Sequence, residues 1–302
     1  MGIGKIGRKA IRLAIKTLDT AVLIIILLFI AVDCYAVWDA RQAYTWAEAA
    51  HYEIYKPDAQ TQDHSFEELG DINPEVFAWL SVYGTRIDYP VVQGSDNQKY
   101  INTNALGQYS LSGAIFLDAR CSKAFLDFPS IVYGHHMEKN AMFGEIGNFA
   151  DKEYFDARPY GSLYYSGEEH GLEIFAFLHC DAYDTRVFRT RIAEREEREV
   201  YLALLLERAT YTRHIGVTPD DRIVLLSTCS SGSTNGRDIL AGRIMDKTYE
   251  NGFLATDTGK LFVAGRLTGL WARVPLWGKI AVFSLLPLLL LFMIHKKGER
   301  RI

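Results

Sequence analysis

The chain has 302 residues, 49% of them apolar, and a formal net charge of −4. That is enough apolar material for one sizeable domain with appendages, and it excludes a disordered chain. With the two apolar ends, residues 1–38 and 274–302, set aside, 23 Lys and Arg face 34 Asp and Glu, a net −11, which excludes nucleic acid as a partner because phosphate contacts need clustered Lys and Arg.

Residues 1–17 carry Lys5, Arg8, Lys9, Arg12 and Lys16 and read as a basic cytoplasmic tail. Residues 18–38 read as a transmembrane anchor, with a dense apolar run over 21–32 and an interfacial Trp38. A cleaved signal peptide has a similar apolar run, but no small-x-small site follows at once, which favours the anchor. Residues 39–72 read as a helical stalk and linker, Ala47, Ala49 and Ala50 favouring helix and Pro57 ending it. Asn73 followed by Pro74 looks like a cap and first helical position, so a short helix is expected through Trp79.

Seven short segments rich in β-branched and aromatic residues then follow, bounded by Gly, Pro, Asn and Asp: 79–82, 87–92, 114–118, 130–134, 172–179, 223–228 and 239–245. Gly84 marks a hairpin between the first two. So many short strands predict a closed or nearly closed β-barrel. Residues 191–208 interrupt them with a helix, which has no Gly or Pro, has Glu194/Arg198 and Arg195/Glu199 at i, i+4 spacing, and has an apolar side of Val200, Leu204 and Leu205. That helix and the loop 181–191 before it are expected to shape a substrate groove. A barrel domain over 73–250 leads through a juxtamembrane segment, 251–273, to a second apolar run at 274–294 and a basic tail at 295–302 holding Lys296, Lys297, Arg300 and Arg301. The run reads as a second span if Lys279 snorkels and Pro287 kinks it, and a buried core helix is the alternative. Basic residues outside both runs place both termini in the cytoplasm and the barrel outside the cell membrane.

The cysteines are Cys34, Cys121, Cys180 and Cys229. None forms a CxxC pair or has zinc-like His spacing, so no metal and no cofactor is expected. Cys34 reads as an inert membrane thiol. Cys121 and Cys180 read as buried free thiols rather than a disulfide. Cys229 differs, because Arg222 to Cys229 is a buried-type strand running into a loop of Ser, Gly, Thr and Asn that ends at Arg237. A second strand ends in Tyr133-Gly134-His135-His136. Each feature alone is ordinary: a structural cysteine, a turn histidine and an exposed arginine.

Taken together with further segments, they resemble the class B sortases. The matching pieces are Asn73-Pro-Glu-Val-Phe-Ala-Trp-Leu, Ile87-Asp-Tyr-Pro-Val-Val-Gln-Gly-Ser-Asp-Asn97, Gly113-Ala-Ile-Phe-Leu-Asp118, Tyr133-Gly-His135, Met142-Phe143 and Leu226-Ser-Thr-Cys229. They occur in the family's order across residues 73–245. The resemblance implies a mainly β fold with helices, an eight-stranded sortase-type barrel with an N-terminal helical region, a helix inserted between two late strands and one transmembrane helix at each end. It also implies a cysteine transpeptidase in which Cys229 is the nucleophile, His135 the general acid and base, and Arg237 the cation that holds the oxyanion. Thr228, Ser227 and Asn97 are its implied substrate-binding residues. Its partners would be the membrane, a surface protein or pilin carrying a sorting signal, and an amine acceptor on a peptidoglycan cross-bridge or a pilin lysine.

This chain departs from the family pattern at His136, which commonly is asparagine, and at Asp238, which separates Arg237 from the last strand and makes Arg243 the second candidate for the oxyanion role. A span at the C-terminal end is a further departure and looks more like pilin-polymerising sortases. Two other readings use the same features: a thiol peptidase with water as acceptor, and a non-catalytic, membrane-tethered surface scaffold.

Overall fold

The computed structural model describes residues 3–57, 65–229 and 235–253. The chain divides into two compact units, one of which comprises Gln42–Asp257. Outside it lies most of α1, Ile3–Ala47. Within α1, Ala10–Trp38 is long and apolar enough to cross a membrane and has none of its apolar window buried against protein. A helix apolar on every side has no soluble face to present. The Thr17 and Thr20 hydroxyls donate back to the Leu13 and Lys16 carbonyls at 2.9 and 2.7 Å, which hides them within the helix. The second expected span, 274–294, lies outside the described residues, as does most of the juxtamembrane segment.

Helix α2 covers Ser65–Ile72 and β1 covers Val76–Val82, so no helix runs from Asn73 to Trp79. Asn73 is a turn residue: its Oδ1 accepts from the Glu75 N–H at 3.2 Å, while its buried Nδ2 donates to Tyr100 Oη and to the Ala105 carbonyl. Beyond it, six of the seven β1 residues are buried. Sheet pairing therefore overrides the local cap-and-proline signal.

The remaining elements are β2 (Asp88–Val92), β3 (Ile115–Leu117), β4 (Ser130–Tyr133), α3 (Lys152–Ala157), β5 (Tyr160–Tyr165), β6 (Glu168–Asp181), α4 (Arg195–Arg208), β7 (Ala209–Thr212), β8 (Arg222–Cys229) and β9 (Gly236–Met245). The strands hydrogen-bond in the order β5-β1-β2-β3-β4-β8-β9-β6-β7, and β5 also pairs with β6. Eight strands thus close into the expected barrel, and β7 is a ninth strand on the side of β6. The long strand β6 serves three neighbours because bulges between Ile174 and Ala176 and between Phe177 and Leu178 bend it from one to the next.

Strands β5 and β7 were absent from the sequence reading. Strand β5 carries Gly161 and Ser162, poor strand formers. A Cβ at Gly161 would lie 2.3 Å from the Ser81 carbonyl oxygen, so close pairing with β1 requires the glycine. Strand β7 follows α4 with no breaker between them.

Two cores result. One fills the barrel, with Leu80, Val91, Phe143, Leu163, Val224, Leu226 and Leu240 among its members. The other lies between the barrel wall and α4, with Ile131, Leu178, Tyr201, Leu205, Ile223, Leu225 and Ile239. Strand β8 feeds both on alternate residues, so it reads as a continuous apolar run. Helix α4 begins at Arg195, not residue 191, and its buried side is Tyr201, Leu202 and Leu205. Val200 is 72% exposed and belongs to the opposite side. The Arg195/Glu199 pair forms at 2.7 Å, whereas Arg198 donates to the Ile192 carbonyl in place of pairing with Glu194.

Candidate active site

Strands β4 and β8 run parallel, with Tyr133 beside Ser227. Two residues further along each chain segment come His135, just past the end of β4, and Cys229, the last residue of β8. The Gly134 N–H donates to the Ser227 carbonyl at 3.1 Å and keeps that register past the end of β4. On the other flank, antiparallel β9 sets Arg237 directly opposite Cys229 and Asp238 opposite Thr228. Positions 135, 229 and 237 continue the alternate set that holds Ile131, Leu225 and Ile239, which all belong to the core beneath α4.

Three groups fix His135. Its ring Nε2 lies 2.8 Å from the Ile101 carbonyl oxygen. A carbonyl only accepts, so Nε2 carries the proton and Nδ1 is the nitrogen left for proton exchange. Its own carbonyl accepts from the Phe143 N–H at 3.0 Å. Gly134, just before it, has no room for a side chain, since a Cβ would lie 2.5 Å from Ile115 Cδ1 and 2.7 Å from the Phe143 ring.

A cavity of about 320 Å³ opens here, and its lining includes Asn97, His135, Ser227, Thr228 and Arg237. The structure thus gathers five of the six site residues expected from sequence around one cavity, with Cys229 ending the strand that supplies two of them. Ser227 Oγ and Thr228 Oγ1 are buried and have no partner among the described residues. Asn97 is engaged already: its Oδ1 accepts from the Ala119 N–H at 2.7 Å and its Nδ2 donates to Asp118 Oδ2 at 3.1 Å. Behind Thr228, Asp238 Oδ1 lies 2.9 Å from His179 Nδ1 and joins β9 to β6.

The second candidates fall elsewhere. His136 pairs with Met142 in an isolated bridge and is not part of the lining. Arg243 sits opposite Ile223, six residues back along β8 from Cys229, and its Nε donates to Glu173 Oε2 at 3.0 Å. Further lining residues are Phe116 and Tyr133, which stand in matched motifs but carried no expected role, and Ile101, Ala182 and Phe188, which stand in none. Ala182 and Phe188 come from the 181–191 loop, as expected. Helix α4 supplies no lining residue, and its Tyr201 hydroxyl donates to the Val187 carbonyl of the 181–191 loop at 2.7 Å. A larger groove of about 620 Å³ on the outer side of α4 holds none of the expected site residues.

Cys121 and Cys180 are free, buried thiols in two different cores. Burial pushes them up to about 11 and about 12, respectively, with Asp118 and Asp127 adding to the first and Asp184 to the second. Neither is a thiolate near neutral pH, and iodoacetamide at pH 7 is expected to leave both unmodified in the folded chain; peptide mapping after unfolding and a second label checks this.

No family model matches the chain. Sortase B of Listeria monocytogenes is 32% identical over 202 residues, which span 64% of this chain and 82% of that protein. Two solved structures are also similar. Sortase B from the type II pilus of Streptococcus pneumoniae has 47% identity and a TM-score of 0.53, over 60% of this chain and 99% of that one. A Streptococcus pyogenes class B sortase involved in pilus biogenesis has 40% identity and a TM-score of 0.54, over 59% and 97%.

Proposed function

The chain belongs to the class B sortase family, the cysteine transpeptidases, and from that premise we propose that Cys229 is its nucleophile, His135 its acid and base, and Arg237 its oxyanion-holding cation. The observation that carries this reading is the register of β8 and β9, which sets Arg237 opposite Cys229 at the end of β8, together with a cavity lined by His135, Arg237, Ser227 and Thr228.

In the first half-reaction the Cys229 thiolate adds to the carbonyl carbon of the threonine in a sorting signal. The charge that gathers on oxygen lies against the Arg237 guanidinium. The carbon–nitrogen bond then breaks, the His135 imidazolium gives its Nδ1 proton to the departing amine, and a thioester remains. In the second half an acceptor amine adds to the thioester, His135 Nδ1 takes its proton, and the sulfur leaves as thiolate. Nε2 keeps its proton throughout, held by the Ile101 carbonyl. Ser227, Thr228 and Asn97 bind the donor peptide, the two unpartnered hydroxyls supplying hydrogen bonds along an extended chain.

The wider assignment follows from the sequence. Residues 18–38 anchor the chain, 274–294 form a second span, both basic ends face the cytoplasm, and the barrel faces outward. A pilin lysine is favoured over a cross-bridge as acceptor, because two of the similar structures are described as pilus sortases.

The test is intact-mass analysis of the full chain in detergent with a panel of Leu-Pro-x-Thr-Gly and Asn-Pro-x-Thr peptides, with and without an added lysine-containing peptide or oligoglycine. An acyl adduct mapped to Cys229 and resolved onto the amine is expected. Hydrolysis under every condition would overturn transfer in favour of a thiol peptidase, and Cys229→Ala with unchanged function would favour a scaffold.

Gly113 gives a local check on how His135 is held. It has φ +60°, and a Cβ there would lie 2.4 Å from the Tyr100 carbonyl oxygen and 2.6 Å from that of Ile101. Gly113→Ala displaces the carbonyl that orients His135, so peptide turnover is expected to fall on the order of 10- to 100-fold. Alkylation of Cys229 should proceed nearly as before.

A further inference from the structure

Asp118 follows β3 directly and is fully buried, yet it does not line the cavity. Its carboxylate accepts from five donors. Arg120 supplies three, its backbone N–H at 2.9 Å, Nε at 2.9 Å and Nη2 at 2.8 Å. Asn97 Nδ2 donates at 3.1 Å and the Tyr133 hydroxyl at 3.2 Å, both to Oδ2. Both of these residues do line the cavity, Asn97 from the loop after β2 and Tyr133 from the end of β4. The next residue continues the pattern, since the Ala119 N–H donates to Asn97 Oδ1. Asn97 is thereby held at both ends of its amide by two consecutive residues of one loop.

A buried carboxylate is a costly way to stabilise a fold. Desolvation opposes the charge, and replacing a buried ion pair with neutral packing is often neutral or stabilising. Burial alone would raise this carboxyl, yet the Arg120 fork and the Asn97 amide hold it below the usual carboxylate range. The charge is therefore kept, and two of its acceptor contacts go to groove residues. Tyr133 is confined further by ring contacts with Phe116 at 5.4 Å and Phe188 at 6.5 Å.

We propose that Asp118 is a positioning residue for the acyl-donor groove, fixing the Asn97 amide and the Tyr133 ring in the one arrangement that receives an extended sorting peptide. This rests on Asn97 being part of that groove, as proposed above. Asp118→Asn is nearly isosteric, but it turns one acceptor into a donor facing Asn97, Tyr133 or Arg120, so the arrangement loosens while the packing stays.

The test uses the full chain in detergent with two fluorogenic peptides, one carrying Leu-Pro-x-Thr-Gly and one carrying Asn-Pro-x-Thr, and counts active sites by alkylation of Cys229. For Asp118→Asn the expected result is a KM about tenfold higher, with kcat per titrated site within about twofold. Adding Asn97→Ala should change KM no further than the larger single effect. Deuterium uptake should rise at residues 94–101 and at the Ala119 amide, and stay unchanged in β8. A KM that does not move while thermal stability falls, or effects that add fully, would overturn the proposal. If Asn97→Ala and Tyr133→Phe both leave KM unchanged, the groove assignment falls and Asp118 with it; if they raise KM and Asp118→Asn does not, only the role of Asp118 falls. Should neither peptide be turned over, the exchange measurement decides: unchanged uptake at Ala119 and 94–101 overturns the proposal, and raised uptake there supports it.

Discussion

Cys229→Ala is expected to abolish the acyl adduct and to lower peptide turnover on the order of 10⁴-fold or more, because a two-stage transfer has no route without its nucleophile. The informative control is Cys180. It sits opposite Arg237 on the far side of β9, so Cys229, Arg237 and Cys180 form one row across three strands. Proximity alone would make Cys180 a substitute. Yet Cys180 is buried in the core beneath α4, only 7% exposed as a residue, and its thiol is pushed up to about 12 by burial, so it offers neither thiolate nor access. Cys180→Ala should therefore keep kcat/KM within about twofold and cost about 1 kcal/mol of stability through the small cavity it leaves. Intact-mass analysis and peptide kinetics on both variants check the pair of outcomes. An adduct on Cys229→Ala would remove Cys229 from the mechanism.

The contrast also shows what a sequence can and cannot say about a cysteine. Cys180 and Cys229 both lie at the ends of β-rich segments, and the Ser, Gly, Thr and Asn loop after Cys229 marks a strand end without giving its thiol a role. Separation came from a resemblance carried by segments spread over 73–245, four of which, 87–97, 113–118, 133–135 and 226–229, place Asn97, Phe116, Tyr133, Gly134, His135, Ser227 and Thr228 on the cavity wall. The barrel was legible for a similar reason, since seven of its eight closing strands announce themselves as apolar runs between turn residues. Strand β5 did not, because its tight approach to β1 demands Gly161, which reads as a breaker. Asn73-Pro74 misled in the opposite direction: a local helix signal was overruled by the burial of β1. Val200 was assigned to the wrong side of α4 because two apolar stripes were available and only the barrel wall decides between them. Asp118 was visible as part of a motif, but its role depends on Asn97 and Tyr133, distant in sequence and joined only by the fold.

Arg237 and Arg243 lie on the same strand, and their alanine variants are expected to fail in opposite ways. Arg237 faces Cys229 and lines the cavity, so Arg237→Ala should lower kcat on the order of 10²- to 10³-fold, the scale of losing one oxyanion donor, with a small change in melting temperature. Arg237→Lys keeps the charge and loses the fork, so it should recover about tenfold of that loss. Arg243 is held by Glu173, and the two side chains are only 14% and 12% exposed. Arg243→Ala strands that carboxylate, which should cost about 3 kcal/mol of stability at pH 7 while leaving kcat per folded molecule nearly intact. The pH dependence has a definite sign. Burial alone would raise Glu173, but the Arg243 guanidinium beside it holds it below the usual 4.5. Its stabilisation is therefore complete above the ordinary carboxylate pKa and is lost as pH falls through the lowered one. Melting curves of wild type and Arg243→Ala should accordingly lie far apart at pH 7 and converge in acid. Should Arg243→Ala instead lose turnover at full stability while Arg237→Ala keeps it, the oxyanion assignment passes to Arg243.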